Sequence, residues 1–191
     1  MQVIGKMKSA LIIIDMQMLM QHRLEAGRDH VNGDAAGKVA VLAKSFREKG
    51  HAVIHIRHRD DDFASPLHQT APGFQPMAGA EERENEPVFV KTTSSGFAST
   101  ELEGYLRANA ITDLVVAGAV AGFCVNSTVR AGADLGFKMC VVSDAVIGFD
   151  LPGESMSART IFDVTMAHLK ADFAAVVETS ALLSSDHQSV Q

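Results

Sequence analysis

Six short apolar runs, separated by segments long enough to form helices, constrain the fold of this chain more than any other feature of its sequence. The first run, SALIII at residues 9–14, is typical of a strand that is buried on both faces. The intervening segments place apolar residues at helical spacing. The predicted strands cover residues 9–14, 52–56, 88–90, 114–117, 138–142 and 174–177, and the predicted helices cover residues 35–49, 101–109, 124–135 and 155–170.

Strands that alternate with helices are expected to run parallel, because each helix carries the chain back through a right-handed crossover. The sequence therefore predicts an α/β protein, a Rossmann-like three-layer α/β/α sandwich around a six-stranded parallel sheet. A chain of 191 residues suits a single domain, residues 1–191, and we expect an ordered core at about residues 9–180. The last dozen residues are rich in Ser and Gln and are predicted to fray.

Composition and charge argue against several classes of function. A net charge of -6 disfavours nucleic-acid and anionic-membrane partners, since both require clustered Lys and Arg. No segment reaches the roughly 18 to 20 apolar residues of a membrane span. The first apolar run ends in Asp15 and is typical of a strand rather than a signal peptide. Two cysteines, Cys124 and Cys140, do not form a disulfide framework, so we expect a reduced, cytoplasmic protein.

Three reactive side chains follow strands of the predicted sheet. Asp15 follows the first strand, Lys91 follows the third, and the fourth leads through GAVAGF to Cys124. In such sheets ligands bind beyond the carboxyl ends of the strands, so these side chains are expected to meet at one edge. A helix N-terminus and a nearby ammonium favour a thiolate, and a carboxylate can accept its proton. We therefore expect Cys124 to have a thiol pKa well below the usual value of about 8.5.

These residues also lie in strings that resemble the signature regions of isochorismatase-like cysteine hydrolases. The strings are ALIIIDMQ (10–17), VFVKTTSSGFAST (88–100) and VVAGAVAGFCVNSTVRAGADLGF (115–137), and VVSDA (141–145) matches a further block. The resemblance extends from about residue 9 to residue 180. It implies the isochorismatase-like hydrolase fold, and it places the family's catalytic Asp, Lys and Cys on Asp15, Lys91 and Cys124.

The resemblance implies further details of the site. The family's non-proline cis peptide would join Val120 to Ala121, and its oxyanion hole would use the backbone amides of Ala121 and Cys124. The implied reaction is hydrolysis of a C–N bond of a small amide through a thioester on the cysteine. Relatives tend to form dimers and tetramers, so we expect a homodimer or homotetramer. We also expect a small molecule as the substrate.

Three more residues are candidate substrate contacts. Phe97, shortly after Lys91, corresponds to an aromatic that often forms the pocket wall in the family, and ordinary core packing is its alternative role. Gln17 and Phe123 flank the predicted catalytic residues. The long segment at residues 59–86 and the segment at residues 149–158 are expected to line or cover the pocket.

The metal-binding pattern of one group of relatives is incomplete in this sequence. Nicotinamidases bind a metal through an Asp-x-His pair and a second His after the second strand. Here Asp60 is followed two places later by Asp62, and neither His58 nor His68 restores the pattern. We therefore predict no metal and no cofactor.

Two other functions are compatible with the same fold. An isochorismatase-type hydrolase cleaves a vinyl ether by protonation and needs an acid but no thiol, so the presence of Cys124 favours the amide hydrolase. A fold-mate without catalytic activity, acting in binding or assembly, would have a thiol of ordinary pKa. Nucleotide binding is disfavoured, because the first strand–helix connection lacks a glycine-rich phosphate turn.

Overall fold

The computed structural model describes residues 8–151 and 153–185, and it has the predicted α/β architecture. The strands are β1 (Lys8–Ile14), β2 (His30–Val31), β3 (Ala52–His58), β4 (Val88–Lys91), β5 (Ile111–Ala119), β6 (Lys138–Phe149) and β7 (Ala174–Val177). The helices are α1 (Met18–Glu25), α2 (Ala35–Glu48), α3 (Leu102–Ala108), α4 (Asn126–Asp134), α5 (Ala158–Asp172) and α6 (Thr179–Ser185). No helix in the described ranges combines the length and the hydropathy that crossing a membrane requires.

The six predicted strands form one parallel sheet with the order β4-β3-β1-β5-β6-β7. The prediction of a purely parallel six-stranded sheet was nevertheless incomplete, because β2 adds a seventh strand antiparallel to the end of β6. Two residues are too few to produce a periodic signal in a sequence. Strand order reverses between β1 and β5, and this is where ligands bind in open α/β sheets.

Side chains on both faces of the sheet are buried, as the apolar runs predicted. Along β1, Ala10, Ile12 and Ile14 pack into one hydrophobic cluster, whereas Leu11 and Ile13 pack into the cluster on the opposite face. The two layers of helices that cover the sheet complete these clusters. The residues after strand β1 therefore emerge from the centre of the molecule.

The chain end is more structured than predicted up to residue 185. Helix α6 occupies part of the segment that was expected to fray, and residues 186–191 lie outside the described residues. The backbone N–H and the hydroxyl of Thr179 both donate to Asp144 Oδ1, each over 2.8 Å. Leu182 and Leu183 pack against one of the two hydrophobic clusters. This burial outweighs the polar composition that suggested a frayed tail.

An ionic cluster around Glu86 holds the end of the long connection between β3 and β4. The carboxylate accepts hydrogen bonds from Arg47 Nε at 2.7 Å, from Arg47 Nη2 at 2.8 Å and from the backbone N–H of Arg83 at 2.9 Å. His55 Nε2 lies 3.0 Å from the same carboxylate. Burial alone would raise the pKa of Glu86, but these hydrogen bonds outweigh it and lower the pKa to about 2.

The Glu86 cluster predicts a loss of stability in acid. Because folding lowers the carboxyl pKa from 4.5 to about 2, its stabilisation is complete above pH 4.5 and disappears as the pH falls towards 2. This group alone should lower the free energy of unfolding by about 3 kcal/mol over that range. Urea unfolding of the wild type, Glu86→Gln and the exposed control Glu84→Gln at several pH values measures this. An equally steep pH dependence in Glu86→Gln would contradict the assignment.

Strands β1 and β5 approach each other closely where β1 ends. Gly118 pairs with Ile14 and has φ +127°, and a Cβ atom at this position would overlap the carbonyl oxygen of Ile14 and lie 2.6 Å from its nitrogen. Both atoms belong to the backbone, so they cannot move aside as a flexible side chain would. Glycine at residue 118 is therefore required for the two strands to pair directly before Asp15.

We accordingly expect Gly118→Ala to destabilise the protein by about 3 kcal/mol or more, through the clash and the unfavourable φ. Gly37→Ala is a matched control in helix α2, because a Cβ atom there would have no heavy atom within 4 Å. Chemical unfolding of both variants provides the measurement. Equal stability of the two variants would show that the strands separate without cost.

Candidate active site

Strand ends bring four polar side chains to one edge of the sheet. Asp15 follows β1, with φ 48° and its backbone N–H donating to the carbonyl of Ile56 at 2.9 Å. His58 and Lys91 are the last residues of β3 and β4, and they pair with each other in the sheet. Cys124 lies in a π-helical turn, Ala121–Val125, that follows β5 and precedes α4. Asp15, Lys91 and Cys124 therefore converge at the strand ends, as predicted.

The ammonium of Lys91 connects the other three side chains. Lys91 is 0% exposed, and its Nζ donates to Asp15 Oδ2 at 2.7 Å and to Cys124 Sγ at 3.3 Å. It also lies 3.0 Å from His58 Nδ1. These three contacts match the three N–H groups of an ammonium. If His58 Nδ1 accepts from Lys91, its other nitrogen carries the proton and faces Asp60 Oδ1 at 3.2 Å.

The electrostatics of Cys124 differ from those predicted. Burial and the adjacent Asp15 carboxylate raise the pKa of the Cys124 thiol to about 12, and the opposing effect of Lys91 is smaller. Burial also raises the pKa of Asp15, against the pull of Lys91. The expected low thiol pKa is therefore wrong, because the site would have to hold two neighbouring anions with little water. Burial and the neighbouring carboxylate therefore favour the protonated thiol over the thiolate.

Asp15 retains one oxygen that can accept a proton. Its Oδ2 is bound to Lys91, whereas Oδ1 is buried and has no partner at full hydrogen-bonding geometry in the described ranges, and the thiol of Cys124 is close enough to lower the Asp15 pKa as a hydrogen-bond donor. A carboxylate oxygen of Asp15, the sulfur of Cys124 and a ring nitrogen of His58 all lie within 4.8 Å of one another. A buried carboxylate with an unused lone pair beside a neutral thiol is a suitable general base.

The same three side chains are the one group of three or more potential metal ligands that occurs among residues 8–151 and 153–185. The Lys91 ammonium already contacts all three, and a cation in that position competes electrostatically with a metal ion. The absence of a metal and of a cofactor remains a prediction.

A cleft of about 260 Å³ opens onto the thiol and the carboxylate. Its wall combines apolar side chains from several elements with few polar groups, as is common in small-molecule sites. Leu67 belongs to the long segment at residues 59–86, which was expected to reach the pocket; no described residue of 149–158 does so. The lining residues are Asp15, Leu19, Met20, Arg23, His58, Leu67, Ser94, Val120, Phe123 and Cys124.

Of the three predicted substrate contacts, Phe123 alone lines this cleft, and it is 50% exposed. Phe97 instead stacks on Phe137, with ring centroids 5.7 Å apart, and has the core-packing role that was its alternative. Gln17 is 0% exposed, and its amide binds backbone atoms of His58 and Phe74 over 2.9 to 3.0 Å. Its polar atoms therefore hold the loop after β3.

The cis peptide lies one residue earlier than predicted. It joins Ala119 to Val120, not Val120 to Ala121. Strand β5 continues to Ala119 and the π-helical turn starts at Ala121, so the chain changes direction immediately after the strand. The string GAVAG contains no side chain that distinguishes one of these peptide bonds from the next. The resemblance to the family therefore placed the cis peptide at the wrong bond.

The sequence did not reveal Arg23 as a residue of the site, and it suggested His58 only as a possible metal ligand. Lys91 was identified because it follows a predicted strand. His58 is the last residue of β3, but the predicted strand stopped at residue 56, so the same rule did not identify His58. Arg23 lies in helix α1, which was not predicted, because its apolar residues show little helical periodicity. Nothing in the sequence marked Arg23 as a pocket residue.

Comparisons with known proteins agree with this fold. The sequence model of the isochorismatase domain matches residues 9–180. YrdC, an isochorismatase family protein of Bacillus subtilis, is 31% identical over 180 residues, which cover 93% of this chain and 95% of YrdC. The crystal structure of an isochorismatase-family protein from Chromobacterium violaceum superposes with a TM-score of 0.87 at 31% identity, covering 94% of each chain.

A relative with a named activity is also similar, over part of its length. Streptothricin hydrolase of Streptomyces noursei is 29% identical over 152 residues, which cover 80% of this chain and 54% of that protein. The matched family model covers most of the present chain and includes all the strand ends that form the site. The chain belongs to the isochorismatase family of hydrolases.

Proposed function

We propose that this protein is a cysteine-dependent hydrolase that cleaves a C–N bond of a small amide through a thioester. Cys124 is the nucleophile, Asp15 transfers the proton, and Lys91 orients both. The observation that carries this proposal is the set of contacts of Lys91 Nζ, 2.7 Å from Asp15 Oδ2 and 3.3 Å from Cys124 Sγ, two residues that line the cleft. The similarity to streptothricin hydrolase supports hydrolysis.

The first step starts from a neutral thiol, because the pKa of Cys124 is raised to about 12. As the sulfur attacks the amide carbonyl carbon, a C–S bond forms and Asp15 Oδ1 takes the thiol proton. The carbonyl π electrons move to the oxygen, and the backbone amides of Ala121 and Cys124 are the proposed donors to this oxyanion. Proton transfer that accompanies attack avoids a free thiolate beside a carboxylate.

The second step releases the amine. The tetrahedral intermediate collapses, the C–N bond breaks, and protonated Asp15 gives its proton to the leaving nitrogen. A water molecule then attacks the thioester and loses a proton to Asp15, and the sulfur recovers that proton as the carboxylic acid departs. Asp15 thus acts once as base and once as acid in each half of the reaction.

Lys91 supports both steps through charge rather than by exchanging protons. Its ammonium favours the ionised form of the buried Asp15 carboxyl and so opposes the rise in pKa that burial causes. Its contact with Cys124 Sγ stabilises the negative charge that develops on sulfur before the C–S bond is complete. His58 contributes a third contact, which fixes the direction of the ammonium.

Substitution of each cysteine tests the nucleophile. Cys124→Ala should lower turnover of a reactive small amide by at least about a thousandfold, because no thioester can form. Cys140→Ala is the matched control, since Cys140 is the second free thiol and lies in strand β6 away from the cleft. Turnover assays on a panel of small amides, with intact-mass detection of an acyl adduct in the wild type, provide the measurement.

The outcome also separates the two hydrolytic mechanisms. Full amide turnover by Cys124→Ala would contradict the thioester route. Vinyl-ether cleavage that survives in Cys124→Ala, with no amide turned over by the wild type, would favour the isochorismatase-type reaction instead. An acyl adduct found on Cys140 rather than on Cys124 would overturn the assignment of the nucleophile.

The pH dependence tests Asp15. The residue must be ionised to accept the thiol proton, so activity should fall as the pH drops through its pKa, which burial places above the usual 3.8. Asp15→Asn should lower kcat/KM by at least about a hundredfold and abolish this acid limb. The exposed Asp163→Asn is the control, and kcat/KM profiles give the result. A profile unchanged by Asp15→Asn would exclude Asp15 as the base.

A further inference from the structure

Helix α1 presents an arginine to the cleft. The helix begins three residues after Asp15, and three of its residues, Leu19, Met20 and Arg23, line the cleft. Arg23 lies three residues after Met20 and four after Leu19, so it neighbours both on the helix surface. The face that carries Arg23 is therefore the one that forms a wall of the proposed active site.

The guanidinium of Arg23 has no acidic partner in the part of the chain that the structure describes. It packs over the ring of Phe149, whose centroid lies 5.8 Å from Arg23 Cζ. Arg28 packs over the same ring at 5.4 Å, but it forms an ion pair with Asp150 over 2.8 Å. Arg23 thus keeps its fork of N–H donors available for a ligand.

Arg23 gives the cleft a positive charge that no acidic residue of the lining balances. Lys91 neutralises Asp15, and Asp60 binds His58 and the hydroxyl of Ser65 and does not line the cleft. One positive charge therefore remains on the lining, in a protein whose net charge is -6. Burial lowers the pKa of Arg23, and the nearby charge of Arg28 adds to this effect. A bound anion would offset both the loss of hydration of the guanidinium and its repulsion by Arg28.

We propose that Arg23 binds a carboxylate of the substrate, so that the substrate is a small amide that also carries a carboxylate group. This inference rests on the proposed function, because it assumes that the reacting amide lies at Cys124. A guanidinium binds a carboxylate through two parallel N–H···O bonds, which would fix the substrate along the cleft. The volume of about 260 Å³ suits a compound smaller than a typical drug.

Two alkylating reagents of nearly equal size test the charge at Arg23 without knowledge of the substrate. Iodoacetate carries a carboxylate and iodoacetamide is neutral, and each forms a C–S bond with the thiol as iodide leaves and Asp15 or solvent takes the thiol proton. The ratio of their rates at Cys124 measures attraction of a carboxylate into the cleft. Peptide mass analysis in a Cys140→Ala background confines the measurement to Cys124.

The variants compared are Arg23→Gln, Arg23→Lys and the control Arg159→Gln. Arg159 lies outside the cleft, and its Cζ is 5.7 Å from the centroid of the Phe162 ring. This is close to the distance between Arg23 Cζ and the Phe149 ring. Relative to the wild type, Arg23→Gln should lower the iodoacetate-to-iodoacetamide ratio by about fivefold. Arg23→Lys, which keeps the charge, should retain most of the ratio, and Arg159→Gln should leave it unchanged.

Each result is informative. A ratio that Arg23→Gln leaves unchanged while Cys124 still reacts would overturn the carboxylate proposal alone. No adduct on Cys124 in the wild type, even after long incubation with a large excess of either reagent at raised pH, would overturn the proposed nucleophile, and the inference with it. If Arg23→Gln does not fold, the iodoacetate-to-iodoacetamide ratio of the wild type is measured at increasing salt. Salt should lower this ratio, because it screens the attraction between Arg23 and the carboxylate. A ratio that rises with salt would contradict the proposal.

Discussion

The buried ammonium of Lys91 is the constraint on which the site depends. A lysine with 0% exposure loses its hydration, and this cost is offset only where hydrogen-bond acceptors and an opposite charge surround the nitrogen. Asp15 Oδ2 at 2.7 Å supplies the charge, and His58 and Cys124 supply the other acceptors. Strands β1, β3 and β4 and the turn after β5 are therefore coupled, since displacement of one would leave a buried charge without its full set of partners.

The sheet topology satisfies this constraint with little help from loops. Strands β1, β3 and β4 are neighbours, so Asp15, His58 and Lys91 follow from their order and register. Cys124 arrives from the other side, because β5 pairs with β1 across the reversal of strand order. Gly118 permits that pairing to continue up to Ile14. The distance between sulfur and ammonium is thus set by backbone pairing as much as by side chains.

The sequence predicted the parts of this arrangement that depend on strand ends, and it missed those that depend on local chain direction. Asp15 and Lys91 were identified because an apolar run that stops at a charged residue marks both a strand and its carboxyl end. The position of the cis peptide and the presence of Arg23 in the wall of the cleft have no such marker. The thiol pKa was mispredicted because a helix N-terminus and an ammonium were considered, while the burial of Cys124 beside a carboxylate was not.

A raised thiol pKa changes how the nucleophile is controlled. Thiolates are the species that oxidants and electrophiles attack fastest, so a cysteine with a raised pKa reacts more slowly with them while the cleft is empty. Its reactivity then depends on a carbonyl placed so that C–S bond formation and proton transfer to Asp15 occur together. A cationic group on the wall of the cleft, such as Arg23, would favour that placement for substrates that carry an opposite charge. Selectivity and protection of the sulfur therefore follow from the same burial that raises the pKa.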